Sequence, residues 1–300
     1  MKILIFGQTG QVGSELVQAC SSLGQIYAPD SKMVSFLDET SIVNCIKEYK
    51  PTYIINAAAY TAVDKAENLE ESAIAMQING NAVGVIAEEA KKMSAKFIHY
   101  STDYVFDGRK FGPYDESDTP SPLNSYGRSK LKGEEFIAQI GGESAILRVS
   151  WVYGNSGQNF FKTMLRLGQQ RSELKIVSDQ VGAPTWSRDI ATATAQLARK
   201  SVQSKLQGVY HLSPTGKASW YDFAVEIFKN YRQSNCQPDL LVSTVLPIST
   251  AEYPLPAVRP KNSQLDSSKI AKDFGIILPS WDESLKAVFK DYASHVKDHR

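Results

Sequence analysis

Residues 2–13, Lys-Ile-Leu-Ile-Phe-Gly-Gln-Thr-Gly-Gln-Val-Gly, decide the fold. Lys2 to Phe6 is a short apolar run that ends in Gly7, and from Gln11 to Ser22 the apolar Val12, Leu16 and Ala19 recur at helical spacing. The reading is strand, tight turn, helix. Gly7, Gly10 and Gly13 give G-x-x-G-x-x-G at the turn, where residues without a side chain let backbone N–H groups and a helix N-terminus approach a pyrophosphate. Gly7, Gly10, Gln11, Val12 and Gly13 are therefore expected to hold a dinucleotide.

Working outward, the alternation repeats. Gln25 to Ala28, Tyr53 to Asn56, Lys96 to Ser101 and Ala145 to Val149 read as buried strands separated by helical stretches, which predicts a doubly wound parallel sheet of Rossmann-like α/β class covered on both faces. Residues 1–150 form the expected dinucleotide-binding domain. Residues 151–300, with helical stretches near Phe160 to Gln169, Asp189 to Lys200 and Tyr221 to Tyr231, read mainly as a smaller substrate-binding region. No Gly/Ser linker divides the halves, so later segments are expected to return to the first domain, leaving a ligand cleft between the two. Asp30, after the second strand, either accepts hydrogen bonds from an adenosine ribose or serves as a turn residue behind Pro29. The ribose reading favours NADH, whereas Ser31 and Lys32 keep NADPH within reach. Asp38 either reaches the adenine amine or starts the helix near Thr40. Ala57, Ala58 and Ala59 close the third strand with small residues that let a cofactor lie near the backbone.

Composition narrows the partners. Lys+Arg number 33 against Asp+Glu 32, so no field of one sign draws nucleic acid or an anionic membrane. Small molecules are the expected partners. Cys20, Cys45 and Cys236 form no CxxC pair, which argues against a disulfide scaffold or a thiolate metal site and for a reducing compartment. The N-terminal stretch lacks the length and cleavage site of a signal peptide, and no apolar run of about 18 residues appears, so a cytoplasmic protein without a membrane span is expected.

Tyr126 and Lys130 form Y-x-x-x-K on a helical stretch, which puts both side chains on one face. A hydride arriving at a carbonyl carbon leaves charge on the oxygen, so an acid must supply a proton. An ordinary tyrosine has a pKa near 10, and a neighbouring ammonium is expected to bring it closer to the working range. The strand ending at Ser101-Thr102 delivers its hydroxyls into the same crevice, Thr102 being favoured over Ser101 to hydrogen-bond the carbonyl oxygen. Asn79 either orders a proton-relay water, braces that strand or caps a helix. His99 reads as a satisfied core residue.

These motifs resemble one family. The turn spacing is the version found in short-chain dehydrogenases, and G-Q-T-G-Q-V-G (7–13), N-A-A-A-Y-T-A-V-D-K-A-E (56–67), S-T-D-Y-V-F-D-G (101–108), S-P-L-N-S-Y-G-R-S-K (121–130), R-V-S-W-V-Y-G (148–154), N-F-F-K-T-M-L-R-L (159–167), D-Q-V-G-A-P-T (179–185) and R-P-K-N-S-Q-L-D (259–266) are together similar to dTDP-4-dehydrorhamnose reductases over almost the whole chain. The resemblance implies reduction of the C4 ketone of dTDP-6-deoxy-L-lyxo-4-hexulose to dTDP-L-rhamnose with NADPH or NADH. Tyr126 would be the acid, Lys130 its electrostatic partner and ribose anchor, and Thr102 the hydroxyl that polarises the ketone. Thr61 and Val63 would line the sugar pocket beside Asp103 and Tyr104. Trp151 would lie against the thymine or form part of the core, while Asn159 and Arg259 would contact the pyrophosphate, or Arg259 would tie down the C-terminal region. Two rivals remain: a non-catalytic NADP-binding subunit resembling the beta subunit of methionine adenosyltransferase, and a reductase or epimerase of another nucleotide sugar.

Part of the family is implied to dimerise through Mg²⁺ held by carboxylates. The matching positions are Glu15, Arg188 and Asp282, and an arginine cannot ligate a hard cation. The expectation is therefore no metal site, Arg188 pairing with Glu15 or Asp282, and a monomer or weak homodimer that does not depend on metal. Asp189 is the one neighbour that would supply a missing carboxylate.

Overall fold

The computed structural model describes residues 1–234 and 239–298, with side chains to Tyr292; Cys236 lies outside them. The first half runs β1 (Lys2–Phe6), α1 (Gln11–Ala19), β2 (Gln25–Tyr27), α2 (Glu39–Tyr49), β3 (Tyr53–Asn56), α3 (Leu69–Met76), α4 (Ala82–Lys92), β4 (Lys96–Thr102), α5 (Ser125–Ile140) and β5 (Ser144–Val149). The second runs β6 (Val152–Tyr153), α6 (Phe160–Gln170), β7 (Glu173–Val177), β8 (Val181–Gly182), β9 (Thr185–Trp186), α7 (Ser187–Lys200), β10 (Gln207–His211), β11 (Ala218–Ser219), α8 (Trp220–Gln233), β12 (Thr244–Ile248), α9 (Ser268–Phe274) and α10 (Trp281–Asp298).

Six strands form one parallel sheet in the order β10-β5-β4-β3-β1-β2. Strands such as β3 are apolar at nearly every position because both faces are covered. On one face Leu16 of α1 and Ile190 and Leu197 of α7 pack with Ile5, Ile98 and Leu147. On the other, Ile42 and Ile46 of α2, Val83 and Ile86 of α4 and Ile137 of α5 pack with Leu4, Ile54 and Phe97. β10 and α7 thus bring residues from the second half of the chain into the first core. The strand order reverses at β1, whose neighbours are β2 and β3, and this switch point opens at the carboxyl ends of the strands where ligands of such sheets bind.

A second core joins Phe161 and Leu165 of α6, Phe223 and Ile227 of α8, Leu285 and Phe289 of α10, and Leu174 and Ile176 of β7. β7 and β12 pair in parallel at its edge. Within the first half, Arg148 on β5 reaches Glu134 on α5 through two bonds of 3.0 and 2.6 Å, both side chains being buried. Its third nitrogen lies 3.4 Å from His211 Nε2, and His211 Nδ1 lies 3.0 Å from the Tyr114 carbonyl. Burial pushes His211 down to about 3, so the ring is neutral and its Nε2 accepts from Arg148 while Nδ1–H donates. Among the described residues no helix is long and apolar enough to cross a membrane.

Candidate active site

The glycine turn is built for close approach. Gly7 sits at φ +86°, and a Cβ there would fall 2.5 Å from the Ala58 nitrogen, so the end of β1 lies directly on the end of β3. Gly10 precedes α1 with no side chain capping the helix, leaving its first N–H groups directed at the turn. Gly7, Gly10, Asp30, Ala57, Ala58 and Ala59 all border a cavity of about 210 Å³ at the switch point. The small residues, the helix N-terminus and the carboxylate of Asp30 fit the pyrophosphate and ribose of a dinucleotide. Asp30 serves its turn, Oδ1 accepting from the N–H groups of Lys32 and Met33, while the residue still borders the cavity. Of the two readings of Asp38, the helix start is the one seen. It caps α2, accepting from the Thr40 N–H, because a carboxylate at that position satisfies an otherwise unpaired helix donor.

Tyr126 and Lys130 occupy the first turns of α5, which Asn124 caps by accepting from the Gly127 N–H at 2.8 Å. The Asn124 amide donates to the Val258 carbonyl, which fixes the start of this helix against the C-terminal segment. Thr102, the last residue of β4, is near enough for its hydroxyl to favour the ionised form of the Tyr126 phenol. The Ser101 hydroxyl is buried without a partner among the described residues. Lys130 is buried, donates to the Tyr100 carbonyl and lies 3.5 Å from His99 Nε2. Burial lowers its pKa to about 8.

The tyrosine differs from its sequence expectation. Burial pushes the Tyr126 phenol up to about 12, with Thr102 opposing that rise and Asp103 adding to it. Among the described residues no hydrogen bond joins Lys130 to the phenol; the ammonium is aimed at the strand carbonyl, so desolvation outweighs it. A phenol in this state is fully protonated at neutral pH, and an alkoxide is a much stronger base than a phenolate, so the proton still moves downhill once hydride has been added.

His99 is more than core filler. Asn56 Oδ1 accepts from the Ala58 N–H, which turns its amide nitrogen towards His99 Nδ1 at 3.2 Å. Nδ1 therefore accepts, Nε2 carries the proton, and the neutral ring that burial enforces stands beside Lys130. Asn79 lies in a π-turn (Gln77–Asn81), where it holds the Tyr60 backbone through both amide atoms and donates to Ser129 on α5 at 3.0 Å. It braces the helix that carries the Tyr-Lys pair, and neither strand β4 nor a helix cap is its contact.

A cleft of about 1740 Å³ opens between the two cores, bordered by Thr61, Val63, Tyr104, Trp220, Gln180 and Arg259 among others. Tyr104 meets Tyr126 edge-on with ring centres 5.8 Å apart, which joins this cleft to the Tyr-Lys pair. Arg259 grips Asp64 at 3.0 and 2.8 Å and so ties the C-terminal segment to the loop after β3, with its guanidinium still on the cleft wall. Asn159 is fully used in other ways: it caps α6 and donates to Gln11 and to the Gly154 carbonyl, closing the loop between them over the glycine turn. A phosphate contact would have to displace those bonds.

Trp151 stacks on Trp220 at 3.5 Å with ring planes 6° apart, and a Cβ at Gly182 would fall 2.6 Å from its indole. Trp151 is half-buried behind Trp220, and Trp220 presents the stack to the cleft. Trp220 Nε1 donates to Gln180, which in turn donates to Thr250. Sequence reasoning missed this pair. The only signal was position, since Trp220 stands at the N-terminus of α8 directly after the capping Ser219.

Arg188 binds Glu15 at 3.0 Å and Asp291, not Asp282, at 2.8 Å. Asp282 faces Lys286 on its own helix, one turn along, while Asp291 lies deeper on the side of α10 facing α7. Asp189 accepts from Ser284. Among the described residues no group of three His, Cys, Asp or Glu converges as for a metal ion.

Comparison with known proteins places these features in context. The family described as the RmlD substrate binding domain matches residues 1–294. The chain is 42% identical over 299 residues to a dTDP-4-dehydrorhamnose reductase of Burkholderia thailandensis, covering 98% of this chain and 100% of the relative. It is 40% identical over 296 residues to the Escherichia coli protein of the same name, covering 97% and 98%. Among solved structures, dTDP-4-dehydrorhamnose reductase of Bacillus anthracis, determined in complex with NADP, superposes with a TM-score of 0.87 at 36% identity over 97% of this chain and 99% of that one.

Proposed function

The chain belongs to the dTDP-4-dehydrorhamnose reductase family, and from that premise we propose that it reduces the C4 ketone of dTDP-6-deoxy-L-lyxo-4-hexulose to dTDP-L-rhamnose, with Tyr126 as proton donor. A reduced nicotinamide dinucleotide bound at the glycine turn supplies the hydride. The chain's own residues do the rest. Thr102 and Tyr126 address the ketone oxygen from β4 and α5. Lys130 holds its charge beneath them and anchors the ribose. The wall of Thr61, Val63 and Tyr104 faces the sugar, with Arg259 and Trp220 further along the cleft towards the nucleotide. The observation that carries this reading is the gathering of Tyr126 and Lys130, on the first turns of α5, with Thr102 at the carboxyl end of β4, where Lys130 is bound to the Tyr100 carbonyl and Tyr104 meets Tyr126 edge-on, since an acid beside a hydroxyl and an ammonium is what carbonyl reduction requires and what a non-catalytic binding subunit has no use for. Turnover tests it. The dTDP-keto sugar should be reduced with consumption of NADPH or NADH, and UDP and GDP analogues should be poor substrates. Equal use of all three would move the assignment to another nucleotide-sugar reductase.

Either dinucleotide fits the turn, and Asp30 sets the balance between them. Asp30→Ala is expected to move the ratio of kcat/KM values towards NADPH by roughly ten- to a hundredfold, since one charged hydrogen bond to the ribose contributes about 1.5–3 kcal/mol. Paired kinetics with NADH and NADPH check this, and an unchanged ratio would put ribose recognition elsewhere. Assembly does not run through a metal: the guanidinium of Arg188 occupies the space between Glu15 and Asp291 with a permanent positive charge. Sedimentation and activity are expected to be the same in Mg²⁺ and in EDTA, and a dimer that dissociates on chelation would refute this. The free, buried thiols of Cys20 and Cys45 suit a cytoplasmic setting.

A further inference from the structure

Asp103 follows Thr102 directly, where β4 passes into a single 3-10 turn (Asp103–Val105). Its side chain is buried at 2% exposure. Oδ1 accepts the Thr102 hydroxyl at 3.0 Å, and Oδ2 is buried with no hydrogen-bond partner among the described residues, although the Ser263 hydroxyl is near enough to favour the ionised form. Burial pushes the carboxyl up to about 7 against that opposition.

A threonine hydroxyl has one proton to give and two lone pairs to receive with. While Asp103 is ionised, the Thr102 proton is committed to Oδ1, and the Thr102 oxygen is left to accept, as it does from the Tyr104 N–H at 3.2 Å. The Thr102 hydroxyl then has no proton to point at a substrate carbonyl. A neutral carboxyl carries its own proton, can donate it to the Thr102 oxygen, and so releases the Thr102 proton towards the ketone. We infer that Asp103 is a positioning residue whose neutral carboxyl turns the Thr102 hydroxyl towards the substrate and whose ionised form turns it away. The inference rests on the reading that Thr102 and Tyr126 address the ketone.

The groups around Asp103 do not duplicate its titration. Tyr104 on its own turn and Tyr126 on α5 are both pushed up by burial, and the Arg259–Asp64 ion pair lies beyond Tyr104. Ser263 and Thr102 are uncharged. Lys130, near 8, adds a limb that every variant shares.

The test is the pH profile of kcat/KM for the keto sugar at saturating NADPH. Between about pH 6 and pH 8.5 the wild type is expected to fall roughly thirtyfold more than Asp103→Asn, as a single group titrating near 7 requires. The asparagine stays neutral, with a donor and an acceptor in the same places. Thr102→Val should be slow and should also lack this limb, because it has no proton to turn. Ser263→Ala leaves Asp103 and Thr102 intact and should move the wild-type limb to higher pH, so the inference remains testable if the asparagine variant does not fold. A limb that persists in Asp103→Asn or Thr102→Val, or that stays fixed in Ser263→Ala, overturns the inference. If Tyr126→Phe retains normal turnover, the underlying reading fails instead.

Discussion

Tyr126→Phe should reduce turnover by roughly 10²–10⁴-fold, the loss typical of removing a general acid, while leaving cofactor affinity nearly unchanged. The phenyl ring keeps the edge-on contact with Tyr104 and the packing of α5, so what disappears is the phenolic proton. Because the phenol titrates only at about 12, the wild-type donor is present throughout the working range, and the loss should be the same at pH 6 and at pH 8. Stopped-flow oxidation of NADPH with the keto sugar gives the rate, and quenching of protein fluorescence gives the cofactor affinity. Near-normal turnover would show that the proton comes from another group.

The other large effect falls on stability. Arg148→Met should destabilise the protein by about 3–5 kcal/mol, because it leaves the Glu134 carboxylate buried without its partner. The guanidinium has two further duties, covering the Phe106 ring at 5.0 Å and donating to neutral His211, so its loss also loosens β5 from β10 and from the loop after β4. The double change Arg148→Met with Glu134→Leu should recover most of that stability, since removing both charges removes the desolvation cost together with the attraction. Urea unfolding of the three proteins decides. A single variant within about 1 kcal/mol of wild type would mean that water or another cation reaches Glu134.

The sheet was largely legible in the sequence. β1 and β3 match the apolar runs Lys2 to Phe6 and Tyr53 to Asn56 residue for residue, because strands buried on both faces are continuous in sequence and punctuated by glycine or asparagine. The Tyr-Lys pair and the glycine turn were legible for the same reason: their spacing is local. What depended on contacts between distant segments was not. The β7–β12 pairing joins residues some seventy positions apart, and one strand contains Pro247. The stacking of Trp151 on Trp220 has no period to reveal it, so the place of Trp220 on the cleft wall was not legible. Asn159 was read as a ligand contact, and Asp38 was left between ligand contact and helix start, because amides and carboxylates serve equally well as helix caps, and only the backbone geometry chooses between the two. The charge state of Asp103 follows from burial, which no motif encodes.

Transfer of deuterium tests the central claim most directly. NADPH carrying deuterium at nicotinamide C4, prepared in each of its two epimers, is incubated with the dTDP-keto sugar and the product is examined by NMR. One epimer should deliver its label stereospecifically to C4 of the 6-deoxy sugar, giving dTDP-L-rhamnose with one deuterium per molecule. Label at any other carbon, or a product formed with no label from either epimer, would contradict the account.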